Sequence, residues 1–228
     1  MTAQPAGFPP GPALRIAFVP GVTVRKWTRR WEERHPQIDY EVIPVAEGEG
    51  IAALRSERST VSFVRLPVER EGLSVVRLYG EVPVLLVPRD HELAALEAVP
   101  LERLADFTGV VDYPPRGPVA DAVELVAAGV GLLRLPHSIA RLNARKDVVA
   151  VPIEDAEETE VALAWLADET TETIEEFLGI VRGRTAASSR ATPTPPTVKA
   201  RPVRSPREAK PAHRDRNRSR QGRKRGGR

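Results

Sequence analysis

Apolar residues fall in two rhythms along this chain: short runs, and stretches that repeat every three to four residues. Leu14 to Val19 reads LRIAFV, apolar enough for a central strand, and Pro20-Gly21 breaks it. Val24, Trp27 and Trp31 then recur at i, i+3 and i+7, which predicts a helix over 23–34 with one aromatic face, stopped by His35-Pro36. Ile38 to Val45 alternates as a strand, a brief helix follows through Ile51, Ala52, Leu54 and Arg55, and Val61 to Leu66 is a third strand. That βαβαβ order predicts a parallel sheet.

Leu73 to Pro88 reads as two strands broken near Gly80, the second apolar on both faces. Short helices over 91–99 and 101–107, a short strand over 109–112 and the stiff loop Pro114 to Pro118 come next. Val119, Ala122, Val123, Val126 and Ala127 then mark one apolar helical face. Gly129 and Gly131 close that helix, Leu132 to Leu135 is a strand, and Pro136 ends it. Ser138 stands where an N-cap belongs, which predicts free backbone N–H groups beyond the strand's carboxyl end, where open α/β sheets hold small anions. Strands over 148–153 and 160–167 lead to a last helix with Ile174, Phe177, Leu178 and Val181 on its apolar face. Either Thr171 caps it, or Thr173 does in a capping box with Glu176.

Charge changes this picture at one place. The net +3 of the 228 residues conceals two opposite parts. From residue 186 onward 14 Lys and Arg face 2 Asp and Glu, a net of +12, which leaves −9 for the rest. The basic end also holds six prolines and almost no large apolar residues, so a disordered tail is expected over 186–228, and a loose lead-in over 1–13. There is no cysteine, hence no disulfide, and no apolar stretch is long enough to span a bilayer; a cytoplasmic protein is expected.

Several phrases together resemble the effector-binding (substrate-binding) domain of LysR-type transcriptional regulators: LRIAFVPG, RHPQIDYEV, GLSVVRLYGEVPVLLVPRDHELA, ELVAAGVGLLRLPHSIARL and EVALAWLADETTETIEEFLGIVRG. The resemblance runs from about Leu14 to Arg184. It implies an α/β, type 2 periplasmic-binding-protein fold with two α/β lobes joined by two crossover strands, near 82–88 and 160–166. The domain would cover 14–185, with lobe I at 14–81 and 167–185 and lobe II at 88–159. It further implies a small effector in the cleft, a role in transcriptional regulation and pairing into a homodimer. Three departures from the family are expected to matter. No helix-turn-helix precedes the first strand, so operator binding in the usual way is not expected. The second lobe is short between Phe107 and Val123, and Glu57 and Thr60 stand where the family commonly has Gly and Asp.

By position in that family, the effector would touch Val22 and Thr23, then Arg65 and Leu66, then Pro136, His137 and Ser138. Hydroxyls of Thr23 and Ser138, helix N-terminal amides and a bidentate Arg65 suit a carboxylate, so the effector is expected to be anionic. Each has a plainer role open to it, as caps for the two hydroxyls and a surface charge for Arg65. Arg116 is a candidate second anion contact, or an ordinary solvated loop arginine. Gly129-x-Gly131 follows a helix instead of a strand and is no dinucleotide fingerprint. Histidines at 35, 91, 137 and 213 are too far apart for a metal site, and Ser138 lacks a nucleophile's context, so no cofactor, metal or enzymatic activity is expected. In the tail, Arg214, Arg216, Arg218, Arg220, Arg223, Lys224, Arg225 and Arg228 form a polycation suited to non-specific DNA or RNA binding, which is the alternative function.

Overall fold

The computed structural model describes residues 12–183. Among these residues ten strands form two five-stranded sheets, accompanied by five α-helices. In the first, β1 (Leu14–Phe18) lies between β2 (Tyr40–Pro44) and β3 (Val61–Arg65), parallel to both. The helices α1 (Arg25–Arg34) and α2 (Gly50–Arg55) make the two connections, as the βαβαβ reading requires. On the far side of β3 lies β10 (Thr159–Leu166), and beyond it β4 (Leu73–Glu81). β10 is antiparallel to both neighbours, because it enters this sheet from the other one.

The second sheet is centred on β5 (Pro83–Pro88), which is buried along its whole length between β8 (Leu132–Pro136) and β9 (Val148–Glu154). β6 (Val99–Pro100) and β7 (Val110–Asp112) are its edges. The short segments over 92–95 and 101–106 are 3₁₀ turns. The chain passes between the sheets twice, at Val82 and across residues 155–158, so this is a two-lobed α/β fold of the type 2 periplasmic-binding-protein kind. The apolar runs at 82–88 and 160–166 are the first strands after each crossing.

The aromatic face predicted on α1 anchors the first core. Trp27 stacks on Phe63 of β3 with ring centroids 4.7 Å apart, and Trp31 meets the edge of Phe177 from α5 (Glu172–Val181). Burying each such ring contributes about 1.5–3 kcal/mol. Thr171 caps α5, its hydroxyl accepting the Ile174 N–H at 3.3 Å. In the second lobe, Val123 and Val126 of α3 (Val119–Ala127) pack on β5 and β8. Gly129, at φ +72°, turns the chain out of that helix.

Two predicted caps are corrected. The helix after β8, α4 (His137–Leu142), has Pro136 at its cap position and Ser138 already inside the first turn, where its hydroxyl cannot cap. The amide of His137 donates to the Val82 carbonyl at 3.1 Å, so one of the expected free N–H groups is spent on the first crossing. α1 begins two residues later than predicted, with Val24 at its cap and no side-chain capping bond; Thr23 is exposed.

Candidate functional site

β3 is fully buried and ends on a charge, Arg65, whose side chain is only 5% exposed. A buried guanidinium must be matched, and three groups do so. Nε donates to Glu81 Oε2 at 2.7 Å, Nη1 to Glu47 Oε2 at 2.6 Å and Nη2 to Ser138 Oγ at 3.0 Å. Tyr113, just past β7, donates its phenol to the same Glu47 oxygen at 2.8 Å. Glu81 is the last residue of β4, and Glu47 lies in the loop before α2. The network therefore ties the first lobe to the second twice, through Arg65–Ser138 and through Glu47–Tyr113.

Burial opposes the charge of Arg65, but Glu81 and then Glu47 outweigh it and hold its pKa above the usual guanidinium value. Burial, and then the Glu47 carboxylate, push the Tyr113 phenol well above its ordinary range, so it stays a donor.

Gly21, at φ +81°, brings the loop after β1 against this network. A Cβ there would lie 2.5 Å from Ser138 Oγ and 3.0 Å from Arg65 Nη2. Two spaces remain on either side. The larger, about 1130 Å³, is lined by Glu47, α2, Arg65 to Glu69, Pro83, Tyr113 and its neighbours, Arg134 to Pro136, and Ala156, Glu157 and Thr159. The smaller, about 510 Å³, is lined by Gly21, Val22, Thr23, Ser138 and Arg141 among others.

The residues predicted to meet one effector are thus divided. Arg65, Leu66 and Pro136 border the larger space, and Val22, Thr23 and Ser138 the smaller. His137 and Arg116 are exposed and line neither. The expected trio of Thr23, Arg65 and Ser138 does not surround an open anion site: Arg65 fills the space between the loops and spends its donors on Ser138 and two carboxylates. The basic residues from Arg214 to Arg228 lie outside the described residues.

Sequence reasoning missed Glu47, Glu81 and Tyr113. One signal was present: Arg65 in VSFVRL and Glu81 in LYGEVPVLLVP are lone opposite charges in apolar strands, and such charges need each other.

Two sheets crossed twice by the chain, with a cleft bordered by both, define the class of two-lobed small-molecule-binding domains. The chain belongs to the LysR substrate binding domain family, whose model matches residues 9–124. It is 24% identical over 197 residues to the HTH-type transcriptional regulator BudR of Raoultella terrigena, covering 71% of this chain and 68% of that one. Among solved structures it is similar to the BenM effector binding domain with its effector benzoate, at 20% identity and a TM-score of 0.62, covering 79% of this chain and 95% of that one. The reduced OxyR regulatory domain from Pseudomonas aeruginosa gives 18% identity and a TM-score of 0.58, over 79% and 98%. Among the described residues no helix is long and apolar enough to cross a membrane.

Proposed function

We propose that this chain is a sensor of the LysR type, which takes a small effector into the 1130 Å³ cleft and acts through it on transcription, without catalysing a reaction. The observation that carries this reading is the position of the cleft: α2 and Leu66 come from one lobe, Tyr113 and Leu135 from the other, so a ligand between them changes the balance between open and closed lobes. An anionic effector, suggested by the helix ends and Arg65, reaches that guanidinium only in exchange for the Glu47 carboxylate. On this reading the chain divides into a lead-in over 1–13, a bilobed domain over 14–185 and a basic tail over 186–228, works in the cytoplasm and pairs through its lobes. The tail adds a weak, salt-sensitive hold on nucleic acid, from its net charge alone.

Thermal-shift screening of the full chain tests the sensor reading. A true effector raises the melting temperature of the native chain and loses that effect in Ala52→Trp, which fills the cleft from an exposed position of α2. Stabilisation that survives Ala52→Trp would place binding elsewhere.

A further inference from the structure

The larger cleft carries more carboxylates than guanidinium groups. Three arginines, Arg55, Arg65 and Arg134, border it against four carboxylates, Glu47, Glu69, Asp112 and Glu157. Each arginine already has a carboxylate partner: Arg55 meets Glu69 at 3.2 Å, Arg134 meets Asp112 at 2.6 Å, and Arg65 holds Glu47 and Glu81. Glu81, buried behind Arg65, adds a further negative charge. Two negative positions stay available. Glu157 is exposed at the rim with no ion pair among the described residues. Glu47 receives both of its donors on Oε2, which leaves Oε1 to accept from a ligand.

An anion entering this space finds every guanidinium matched. At Arg65 it would displace a carboxylate that is 18% exposed and held at 2.6 Å, so one ion pair is traded for another and the displaced Glu47 repels the newcomer. A cation displaces nothing, and a cleft lined by excess negative charge concentrates cations. Ile51, Leu66, Val68, Leu101, Pro114 and Leu135 contribute apolar wall from both lobes, beside the hydroxyls of Ser56, Tyr113 and Thr159. Its volume suits a molecule of drug-like size.

We propose that the effector of this cleft is an organic cation with an apolar body, an amine or amidine on an aryl or alkyl frame, with Glu47 and Glu157 facing its charge. This rests on the sensor reading above and narrows it to one class of ligand.

The test is a calorimetric and thermal-shift panel on the full chain, using aryl and alkyl amines with the carboxylate and alcohol of the same skeleton at matched ionic strength. Within each skeleton that binds, the amine is expected to bind at least about tenfold more tightly than the carboxylate. Added salt should weaken it, and Glu157→Gln should weaken the amine about threefold or more while leaving the alcohol unchanged. Ala52→Trp should abolish binding of every form. A carboxylate that binds more tightly than its amine, with binding still lost in Ala52→Trp, overturns the cationic assignment and leaves the sensor reading standing. If no member binds, or binding ignores Ala52→Trp, the cleft is not the effector site and both fail.

Discussion

Tyr113 of the second lobe donates its phenol to Glu47 of the first at 2.8 Å, and the oxygen it reaches is the one already gripped by Arg65. This small knot ties the two lobes through one guanidinium, one carboxylate and one phenol. The two lobes are tied by groups of the chain itself, so any ligand entering the cleft must either fit beside the tie or loosen it.

Removing the phenol tests how much the tie holds. Tyr113→Phe deletes a hydrogen bond to a charged acceptor, and the expected loss is about 1.5 kcal/mol in urea unfolding. The pH dependence has a definite sign. The folded phenol titrates above its ordinary value of 10.0, so its contribution is complete below that value and is lost as pH rises toward the folded pKa. Native stability should therefore fall more steeply than that of Tyr113→Phe as the pH rises above about 10. Tyr40 and Tyr79, also raised, are present in both chains and cancel in the difference. Parallel pH profiles would mean that neither burial nor Glu47 holds the Tyr113 phenol above its ordinary value.

Arg65 offers a larger effect. Arg65→Met leaves the carboxylates of Glu47 and Glu81 in a site where the latter is only 6% exposed, and losing one partner of such a pair costs about 3–5 kcal/mol. The triple variant Arg65→Met, Glu47→Gln, Glu81→Gln removes the stranded charge and should recover most of that loss. Equal stability of the single and triple variants, measured by chemical unfolding, would show that the cost comes from lost packing of the arginine stem instead.

Much of the fold was legible in local pattern. The face of Val24, Trp27 and Trp31, the stop at Gly129 and the buried run at 83–88 each follow from a few neighbouring residues, and the structure places them accordingly. The site was less legible because its contacts are remote. Ser138 precedes an apolar helix and reads as a cap, but Pro136 takes the cap position and the hydroxyl receives Arg65, 73 residues earlier in the chain. Glu47 and Tyr113 lie in loops with no periodicity to flag them. Thr23 looked like a cap for the same local reason as Ser138, and the backbone at Val24 moved the helix start past it.

The cap of α5 is a case where local pattern left two answers and the structure gives one. Thr171 accepts the Ile174 amide, and Thr173 falls within the helix. Thr171→Ala should lower stability by about 1 kcal/mol, as loss of a threonine cap does, while Thr173→Ala should change it by less than about half that. Thermal or urea unfolding of the two variants side by side decides the assignment, and a larger loss at Thr173 would reverse it.

Gly21 lets the first loop lie against the start of α4, and a side chain there is opposed for two separable reasons. Its φ of +81° is costly for any residue with a Cβ, by about 1–2 kcal/mol. Independently, the added methyl would sit 2.5 Å from Ser138 Oγ, too close for both atoms to stay where they are. Gly21→Ala should therefore cost more than the backbone alone requires, and the excess should shrink in the Ser138→Ala background, which removes Oγ and leaves the helix intact. The backbone part should remain in both. A double-mutant cycle by urea unfolding reads the difference directly. Small-angle scattering adds the structural side, since the wedge acts between the lobes: Gly21→Ala should enlarge the radius of gyration of the native chain, and Gly21→Ala with Ser138→Ala should enlarge it less. Additive energies together with unchanged scattering would mean that the loop yields to the methyl by itself and that the contact between Gly21 and Ser138 does not hold the lobes together.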